Sequence, residues 1–164
     1  MFIHLSDYQE IAKLMADLKH CVALTGAGIS AESGIATFRS KGGLWEKYDP
    51  MVYASIEAFR EDPAKYWTIR GEFIRNTVLF GEQLPKAALE TAYHQSATCK
   101  LMRVIGTSAV VQPAASLPAL ARQEGAKIVE VNIERAFAGA DYVIKEKAAA
   151  GLSNILAEIR RINA

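Results

Sequence analysis

The chain has 164 residues, of which 51% are hydrophobic and 23% are charged, and its formal net charge at pH 7 is +1. This length suits one domain with one buried core, and so small a charge gives no electrostatic reason to expect nucleic acid or an acidic membrane surface as a partner. No stretch reaches the roughly 20 apolar residues of a membrane span, and residues 1–7 lack the pattern of a signal peptide. We therefore expect a cytoplasmic protein with a single domain over residues 1–164.

Helical and strand patterns alternate along the chain. The periodicity predicts helices over residues 8–19, 55–59, 63–75, 85–96, 113–122 and 148–162. Apolar runs predict strands over residues 21–24, 78–80, 101–105, 127–131 and 142–144. Such continuously apolar strands are typical of a parallel sheet that is covered on both faces. The sequence therefore predicts an α/β fold with a parallel sheet and helices on both faces.

The last predicted helix and the two cysteines add two expectations. In the helix, one apolar face is predicted to contain Leu152, Ile155, Leu156 and Ile159. Cys21 and Cys99 lack a Cys-x-x-Cys partner, and two cysteines do not complete a four-ligand zinc site. We interpret them as buried or half-buried thiols and predict no metal ligands in this sequence.

A glycine-rich segment follows the first predicted strand. It reads Gly26-Ala27-Gly28-Ile29-Ser30-Ala31 and fits the pattern G-x-G-x-x-G/A. In that pattern the first glycine permits a sharp turn, the second lets backbone N–H groups approach a phosphate, and a helix starting at Ser30 or Ala31 adds its positive end. A tight strand-to-helix turn without a ligand explains the same residues, so both interpretations stay open.

Two more predicted strands end in small or polar residues. Residues 101–105 are followed by Gly106-Thr107-Ser108, and residues 127–131 by Asn132-Ile133-Glu134. Because ligands of parallel α/β sheets bind beyond the carboxyl ends of the strands, Asn132 and Glu134 are candidates for holding ribose hydroxyls. In dinucleotide-binding folds the ribose-binding acid usually lies about 20 residues after the glycine loop, and here Glu46 stands at that distance. No strand pattern precedes Glu46, so we interpret it as a solvated surface acid.

Four ordered segments together resemble the sirtuins, the NAD-dependent protein-lysine deacylases. They are GAGISAESGIATFRSKGGLW (26–45), VLFGEQLP (78–85), VIGTSAVVQPAA (104–115) and VEVNIE (129–134). The closing ADYVIKEKAAAGLSNIL (140–156) is similar to the last strand and helix of the family, so the resemblance extends from about Tyr8 to Ile162. It implies a Rossmann-like fold, NAD as cofactor, acylated lysine in proteins as substrate, and chemistry of the transferase and hydrolase classes.

The resemblance also implies roles for individual residues. Those that would line the NAD phosphates are Gly26, Ala27, Gly28 and Ser30. Those that would form the closing loop over the nicotinamide ribose are Phe38 and Arg39. Those that would hold the adenosine end are Gly106, Thr107, Ser108, Asn132 and Glu134. Those that would form the strand on which an acyl-lysine peptide lies are Phe80, Gly81 and Glu82.

Three further positions bear on the closing loop and on the acyl group of the substrate. Ala36 stands where the family usually has proline, which loosens the loop slightly. Arg70 would be half of a Tyr-x-x-Arg pair that some sirtuins use for acidic acyl groups, but Trp67 stands at the tyrosine position. We therefore do not predict a preference for acidic acyl groups.

A long block of the family pattern is absent at about Thr77/Val78. In sirtuins that block contains a Thr-Gln-Asn-Ile-Asp segment that shapes the nicotinamide pocket, the histidine that serves as general base, and four cysteines that bind zinc. None of these occurs here, and His4, His20 and His94 do not match the catalytic position. The sequence therefore identifies no catalytic residue and lacks the small zinc-binding lobe; zinc is expected only if a cysteine-bearing segment is missing from this sequence.

Three hypotheses stay open. The chain is an ordinary sirtuin from whose sequence an internal block is missing, a shortened protein that binds NAD or ADP-ribose without catalysis, or a non-enzymatic interaction module with a sirtuin-like fold. A separation between the Cα atoms of Thr77 and Val78 far above about 3.8 Å would favour the first.

Overall fold

The computed structural model describes residues 5–34, 37–39, 41, 43–70 and 80–164. The Thr77/Val78 junction and His4 lie outside these residues. The chain divides into two compact units, which we call the sheet unit (Met1–Ile35 with Thr91–Ala164) and the helical unit (Ala36–Glu90). The single domain expected from the sequence stays a prediction, and each unit is described by itself.

The sheet unit is built on four parallel strands in the order β1-β2-β3-β4. The strands are β1 (Cys21–Thr25), β2 (Leu101–Ile105), β3 (Lys127–Val131) and β4 (Tyr142–Ile144). Thr25 pairs with Ile105, and Ile105 pairs with Val131, so the carboxyl ends of β1, β2 and β3 are level. This register places the segments after those three strands side by side at one edge of the sheet.

Helices cover both faces of the sheet. The elements involved are α1 (Leu5–Asp17), α6 (Lys86–Thr98), α7 (Leu117–Gln123) and α8 (Ala148–Ile162). On one face, Ile11 of α1 and Ile155 of α8 pack against Leu101 and Val129. On the other, Leu117 of α7 packs against Ile128 and its neighbours. The predicted α/β fold, with a parallel sheet between two helical layers, is confirmed.

The helical unit consists of short elements and aromatic contacts. Its helices are α2 (Leu44–Lys47), α3 (Pro50–Tyr53), α4 (Ile56–Glu61) and α5 (Pro63–Arg70). The Ser55 side chain accepts a hydrogen bond from the N–H of Ala58 at 3.1 Å, which caps α4. The Phe59 and Tyr66 rings meet edge to face with centroids 5.1 Å apart, and Tyr66 is buried.

The predicted elements match the structure well but not completely. The predicted bounds of β2, β3, β4 and α8 are those observed. No α-helix begins at Ser30 or Ala31 to add its positive end to the glycine pattern, because a 3₁₀ helix over Ala27–Ser33 occupies that place and ends at Gly34 with a left-handed φ of 84°. The helix predicted over 113–122 begins instead with a 3₁₀ turn, Ala114–Ser116, before α7.

Both cysteines are accommodated as apolar side chains. Cys99 is 1% exposed and packs beneath β2, and this burial raises the pKa of its thiol. Cys21 is half-buried, and its Sγ donates to the carbonyl of Leu18 at 3.2 Å. The interpretation of the two cysteines as buried or half-buried thiols is confirmed.

Asp141 should link the stability of the sheet unit to pH. Burial alone would raise the pKa of its carboxyl, but the N–H of Ile128 (2.8 Å), Lys127 Nζ (3.0 Å) and Arg122 hold that pKa below its ordinary value of 3.8. A carboxyl with a lowered pKa stabilises the fold above its unfolded pKa, and this contribution is lost as pH falls through the folded pKa.

We therefore expect Asp141→Asn to lower the free energy of unfolding by about 1 kcal/mol at pH 7. Urea titrations from pH 7 to pH 2.5 should show the difference from the unmodified protein shrinking below pH 4. A difference that stays constant down to pH 2.5 would contradict the role of the carboxylate.

Candidate functional site

The loop after β1 lies directly against the end of β2. A Cβ atom built on Gly28 would lie 2.7 Å from the Gly106 carbonyl oxygen, and one on Gly26 would lie 2.6 Å from Thr107 Cβ. Gly106 itself has a φ of +58°, and a Cβ there would lie 2.5 Å from the backbone nitrogen of Ile29. These three glycines are therefore required by the close approach of two backbones.

Internal hydrogen bonds use the N–H groups of the first two glycines. The N–H of Gly26 donates to the carbonyl of Ile105 at 3.2 Å, and that of Gly28 donates to the carbonyl of Gly106 at 2.8 Å. The glycine pattern predicts that such N–H groups bind a phosphate, but in this structure they join the loop after β1 to the end of β2. The phosphate role of Gly26, Ala27, Gly28 and Ser30 stays a prediction, with Ala27 and Ser30 partly exposed.

Asn132 connects the ends of β2 and β3. Its Oδ1 accepts the N–H of Thr107 at 3.1 Å, and its Nδ2 donates to the Thr107 carbonyl at 2.9 Å. Nδ2 also donates to Glu130 Oε1 at 2.9 Å, so both of its hydrogens are used. Asn132 is 6% exposed, and it braces two strand ends; direct contact with a ribose stays a prediction.

Ser108 and Glu134 are the exposed polar side chains among the predicted adenosine-end residues. Both lie within three residues of a strand end, Ser108 after β2 and Glu134 after β3. Ile133, beside Glu134, is 66% exposed, and Ile29 after β1 is 42% exposed. The edge of the sheet thus presents a hydroxyl, a carboxylate and apolar side chains, a combination suited to a ribose and a flat base.

The predicted closing-loop residues lie in the helical unit. Phe38 stacks on Trp45 with ring centroids 5.3 Å apart, and the N–H of Trp45 donates to the Phe38 carbonyl at 2.9 Å. Arg39 is exposed. Glu46 is exposed on α2, in agreement with its interpretation as a surface acid.

The predicted peptide-binding segment is a strand only at its first residue. Phe80 forms an isolated parallel bridge with Ser55; its N–H donates to the Ala54 carbonyl at 3.0 Å and its carbonyl accepts the N–H of Ile56 at 2.9 Å. Gly81 has a φ of +82° and turns the chain, in agreement with a strand predicted to end at residue 80, so the strand that the resemblance extends over Gly81 and Glu82 is not formed in this structure. Their contact with a peptide stays a prediction.

The described histidines do not lie at the carboxyl edge of the sheet. His20 precedes β1, and its Nε2 lies 2.8 Å from Gln95 Oε1 while its Nδ1 lies 3.2 Å from the Thr98 carbonyl. His94 is exposed on α6. Within the described ranges, no group of three histidine, cysteine or acidic side chains has the arrangement of a metal site.

Two residues that hold groups at this edge in place were not identified from the sequence. Glu130 in β3 is 0% exposed and hydrogen-bonds Asn132; its signal was an acid within an apolar strand. Glu32 in the 3₁₀ helix accepts the N–H of Ala149 at 2.6 Å. This bond gives a partner to one of the N–H groups in the first turn of α8, which have no acceptor within the helix. That contact links the glycine-rich segment to α8 and had no sequence signal of its own.

The arrangement fits the adenosine half of a dinucleotide. Three strand ends are level at this edge, the loops after β1 and β2 pack closely together at Gly26, Gly28 and Gly106, and exposed Ser108 and Glu134 are polar groups suited to a ribose. Among the described helices, none is both long enough and apolar enough to cross a bilayer.

Comparisons with known proteins agree with this geometry. The family model described as the Sir2 family matches residues 26–76. The NAD-dependent protein deacylase of Aquifex aeolicus is 30% identical over 226 residues, covering 85% of this chain and 95% of that protein. Because 226 exceeds the chain length of 164, at least 62 aligned positions have no residue here.

Two solved structures are similar over nearly the whole chain. One, described as the structural basis for the mechanism and regulation of Sir2 enzymes, has a TM-score of 0.88 and 29% identity, covering 97% of this chain and 100% of that one. A mutant Sir2 homologue in complex with ADP-ribose has a TM-score of 0.86 and 27% identity, covering 94% and 97%. The motifs, the Rossmann-like sheet and these similarities agree, and the chain belongs to the Sir2 family.

Proposed function

We propose that the chain is an NAD-dependent protein-lysine deacylase of the sirtuin type whose sheet unit holds the adenosine end of NAD. The observation that carries this proposal is the Asn132–Thr107 brace, which fixes the ends of β2 and β3 beside the glycine-rich loop. The similar Sir2 homologue that binds ADP-ribose and the similar deacylase of Aquifex aeolicus support it.

In this proposal each group of residues binds one part of NAD or of the acylated peptide. Ser108 and Glu134 orient the adenosine ribose, and the 3₁₀ helix after Gly26 lies along the phosphates. Phe38 and Arg39 close over the nicotinamide ribose, and the segment beginning at Phe80 receives the acylated peptide. Bound NAD would supply the electrophilic ribose carbon: the acyl oxygen of the substrate would bond to it as the bond from that carbon to nicotinamide breaks and nicotinamide leaves. The transferase and hydrolase character and a cytoplasmic location belong to the same proposal.

A second candidate is binding of NAD or ADP-ribose without deacylation. The observation that favours it is the position of His20, which lies before β1 and is held by Gln95, at the opposite end of the strand from the glycine-rich loop. A general base typically contributes about 10²- to 10⁴-fold to the rate. An intact mass well above 17.9 kDa for the natural protein would show that it contains a block absent here.

Two measurements separate these candidates. Calorimetric titration with ADP-ribose tests the nucleotide site, and mass spectrometry of an acetyl-lysine peptide incubated with NAD tests deacylation. Binding with NAD-dependent loss of the acetyl group supports the first candidate, and binding alone supports the second. A folded protein that gives no heat with millimolar ADP-ribose would contradict both.

Glu134 provides a residue-level test of the nucleotide site. We expect Glu134→Gln to weaken ADP-ribose about tenfold, because a charged acceptor for the ribose hydroxyls is replaced by a neutral one. Glu124→Gln is the matched control, since Glu124 is also exposed but caps α7 before β3 begins. Equal affinities for the two variants would remove Glu134 from the site.

A further inference from the structure

Glu130 is a fully buried acid inside β3. Its side chain is 0% exposed, and its carboxylate accepts hydrogen bonds from the N–H of Ala136 (2.5 Å), the N–H of Phe137 (3.2 Å) and Nδ2 of Asn132 (2.9 Å). Burying a carboxylate is costly unless it is hydrogen-bonded, and here both oxygens have donors. The acid is therefore part of an ordered network.

The carboxylate adds a third partner to the Asn132 amide and favours the same orientation that the Thr107 backbone imposes on it. An ionised carboxylate only accepts hydrogen bonds, so the group that Asn132 turns toward Glu130 must be its NH₂. The amide oxygen then faces the N–H of Thr107, which it accepts at 3.1 Å. If the amide were flipped, two donors would meet at the Thr107 N–H, and two acceptors would meet both at the Thr107 carbonyl and at Glu130.

The same carboxylate fixes the loop that contains Glu134. Glu130 holds that loop on one side through Asn132 and on the other through Ala136 and Phe137. Arg135 reinforces the second side, because its Nη2 donates to the carbonyl of Ala138 at 2.7 Å. Glu134 lies between these two attachments.

The network also reaches the glycine-rich loop. Thr107, held by Asn132, has its Cβ where a side chain on Gly26 would fall, 2.6 Å away. A shift of Thr107 would therefore change the space that the loop after β1 occupies. In this way the buried carboxylate is connected to three of the strand-end segments that form the nucleotide site.

We propose that Glu130 is a positioning residue for the nucleotide site, acting through its hydrogen bonds to Asn132 and to the loop around Glu134. The proposal rests on the proposed function for its ligand. Because Glu130 is 0% exposed, it acts on the affinity at the strand ends only through the geometry of the groups it holds.

Glu130→Gln tests the proposal with little change of shape. A glutamine amide has one acceptor oxygen and one NH₂, so it cannot accept from all three donors. With its oxygen toward Asn132 and Ala136, its NH₂ faces the N–H of Phe137; with its oxygen toward Phe137, its NH₂ faces the donors of Asn132 and Ala136. We expect the Kd for ADP-ribose, measured by calorimetry, to rise about tenfold or more, as for the loss of a hydrogen bond to a charged group.

Asp141→Asn is the matched control, because Asp141 also accepts a backbone N–H from β3, that of Ile128 near the opposite end of the strand. Its Kd should stay within about twofold of the unmodified value.

Amide hydrogen exchange distinguishes positioning from general stabilisation. The N–H of Thr107 depends on Asn132, whereas the N–H of Gly106 donates to the Val131 carbonyl at 3.0 Å. The proposal requires Glu130→Gln to speed exchange at Thr107 and leave Gly106 protected. A role limited to overall stability would speed both equally, and that result would overturn the proposal, as would an unchanged Kd.

The exchange measurement also separates this inference from the proposed function. If the unmodified protein does not bind ADP-ribose, the proposed function fails, and selective exchange at Thr107 alone decides whether Glu130 positions Asn132. If Glu130→Gln does not fold, Glu130→Asp replaces it, since aspartate keeps the charge but is one methylene too short to reach all three donors. The same selective exchange at Thr107 is then required.

Discussion

Gly106→Ala should unfold or severely distort the edge of the sheet where β1 and β2 end. The residue has a φ of +58°, which costs a residue with a Cβ about 1–2 kcal/mol. The added Cβ would also lie 2.5 Å from the backbone nitrogen of Ile29 and 2.7 Å from the carbonyl carbon of Gly28, atoms that move only with the backbone. We expect a further loss of about 1–3 kcal/mol and loss of detectable ADP-ribose binding.

Gly125→Ala separates the two causes. Gly125 has a φ of +88°, so alanine there has a similar backbone strain, but an added Cβ has no heavy atom within 4 Å. Urea unfolding should show that Gly125→Ala costs only the strain, about 1 kcal/mol, and calorimetry should show unchanged ADP-ribose affinity. If both variants lose stability equally and both bind ADP-ribose, the close approach of the two loops is not what requires a glycine at position 106.

The sheet could be predicted from the sequence because its strands carry a local signal. The apolar runs of β2, β3 and β4 are short, uninterrupted and followed by small or turn-forming residues, so their type and bounds were both visible. The four-residue helices α2 and α3 were not predicted, since one turn is too short to show a helical period.

The candidate site was predicted in composition but not in arrangement. Gly106, Thr107, Asn132 and Glu134 were each identified from the ends of their strands and the family resemblance. That the side chain of Asn132 braces Thr107 depends on the register of β2 with β3, which brings together residues 25 apart in the sequence. The role of Glu130 follows from the same register and from a loop that bends back over it, and neither has a periodic pattern.

The apolar face of α8 shows the limit of periodicity at the edge of a core. Leu152, Ile155, Leu156 and Ile159 were predicted on one face, yet Ile155 is 1% exposed while Leu156 is 46% exposed. Successive residues on a helix point about 100° apart, so two neighbouring apolar residues do not both face the centre of a narrow contact. Leu156 therefore lies at the margin of the predicted face, partly in water, whereas Ile155 faces the core.

Because of this difference in exposure, we expect substitutions of these two neighbouring residues to have very different effects on the free energy of unfolding. Ile155→Ala should lower the free energy of unfolding by about 2–5 kcal/mol, because it removes buried methyl groups and leaves a cavity beside Leu101, Val129 and Val131. Leu156→Ala, on the same helix, should cost about 0.5 kcal/mol or less, because much of the leucine is already in water. Urea unfolding monitored by circular dichroism measures both.

The same two substitutions test whether packing of α8 holds the end of β3, and with it Asn132, in place. Ile155 belongs to the same buried cluster as Val131, the last residue of β3, and Asn132 follows Val131 directly. We therefore expect Ile155→Ala to speed amide exchange at Thr107, whose partner is Asn132, under conditions where the variant is still folded. Leu156→Ala should leave Thr107 protected. Equal destabilisation by the two substitutions would mean that the contact between α8 and the sheet does not depend on Ile155.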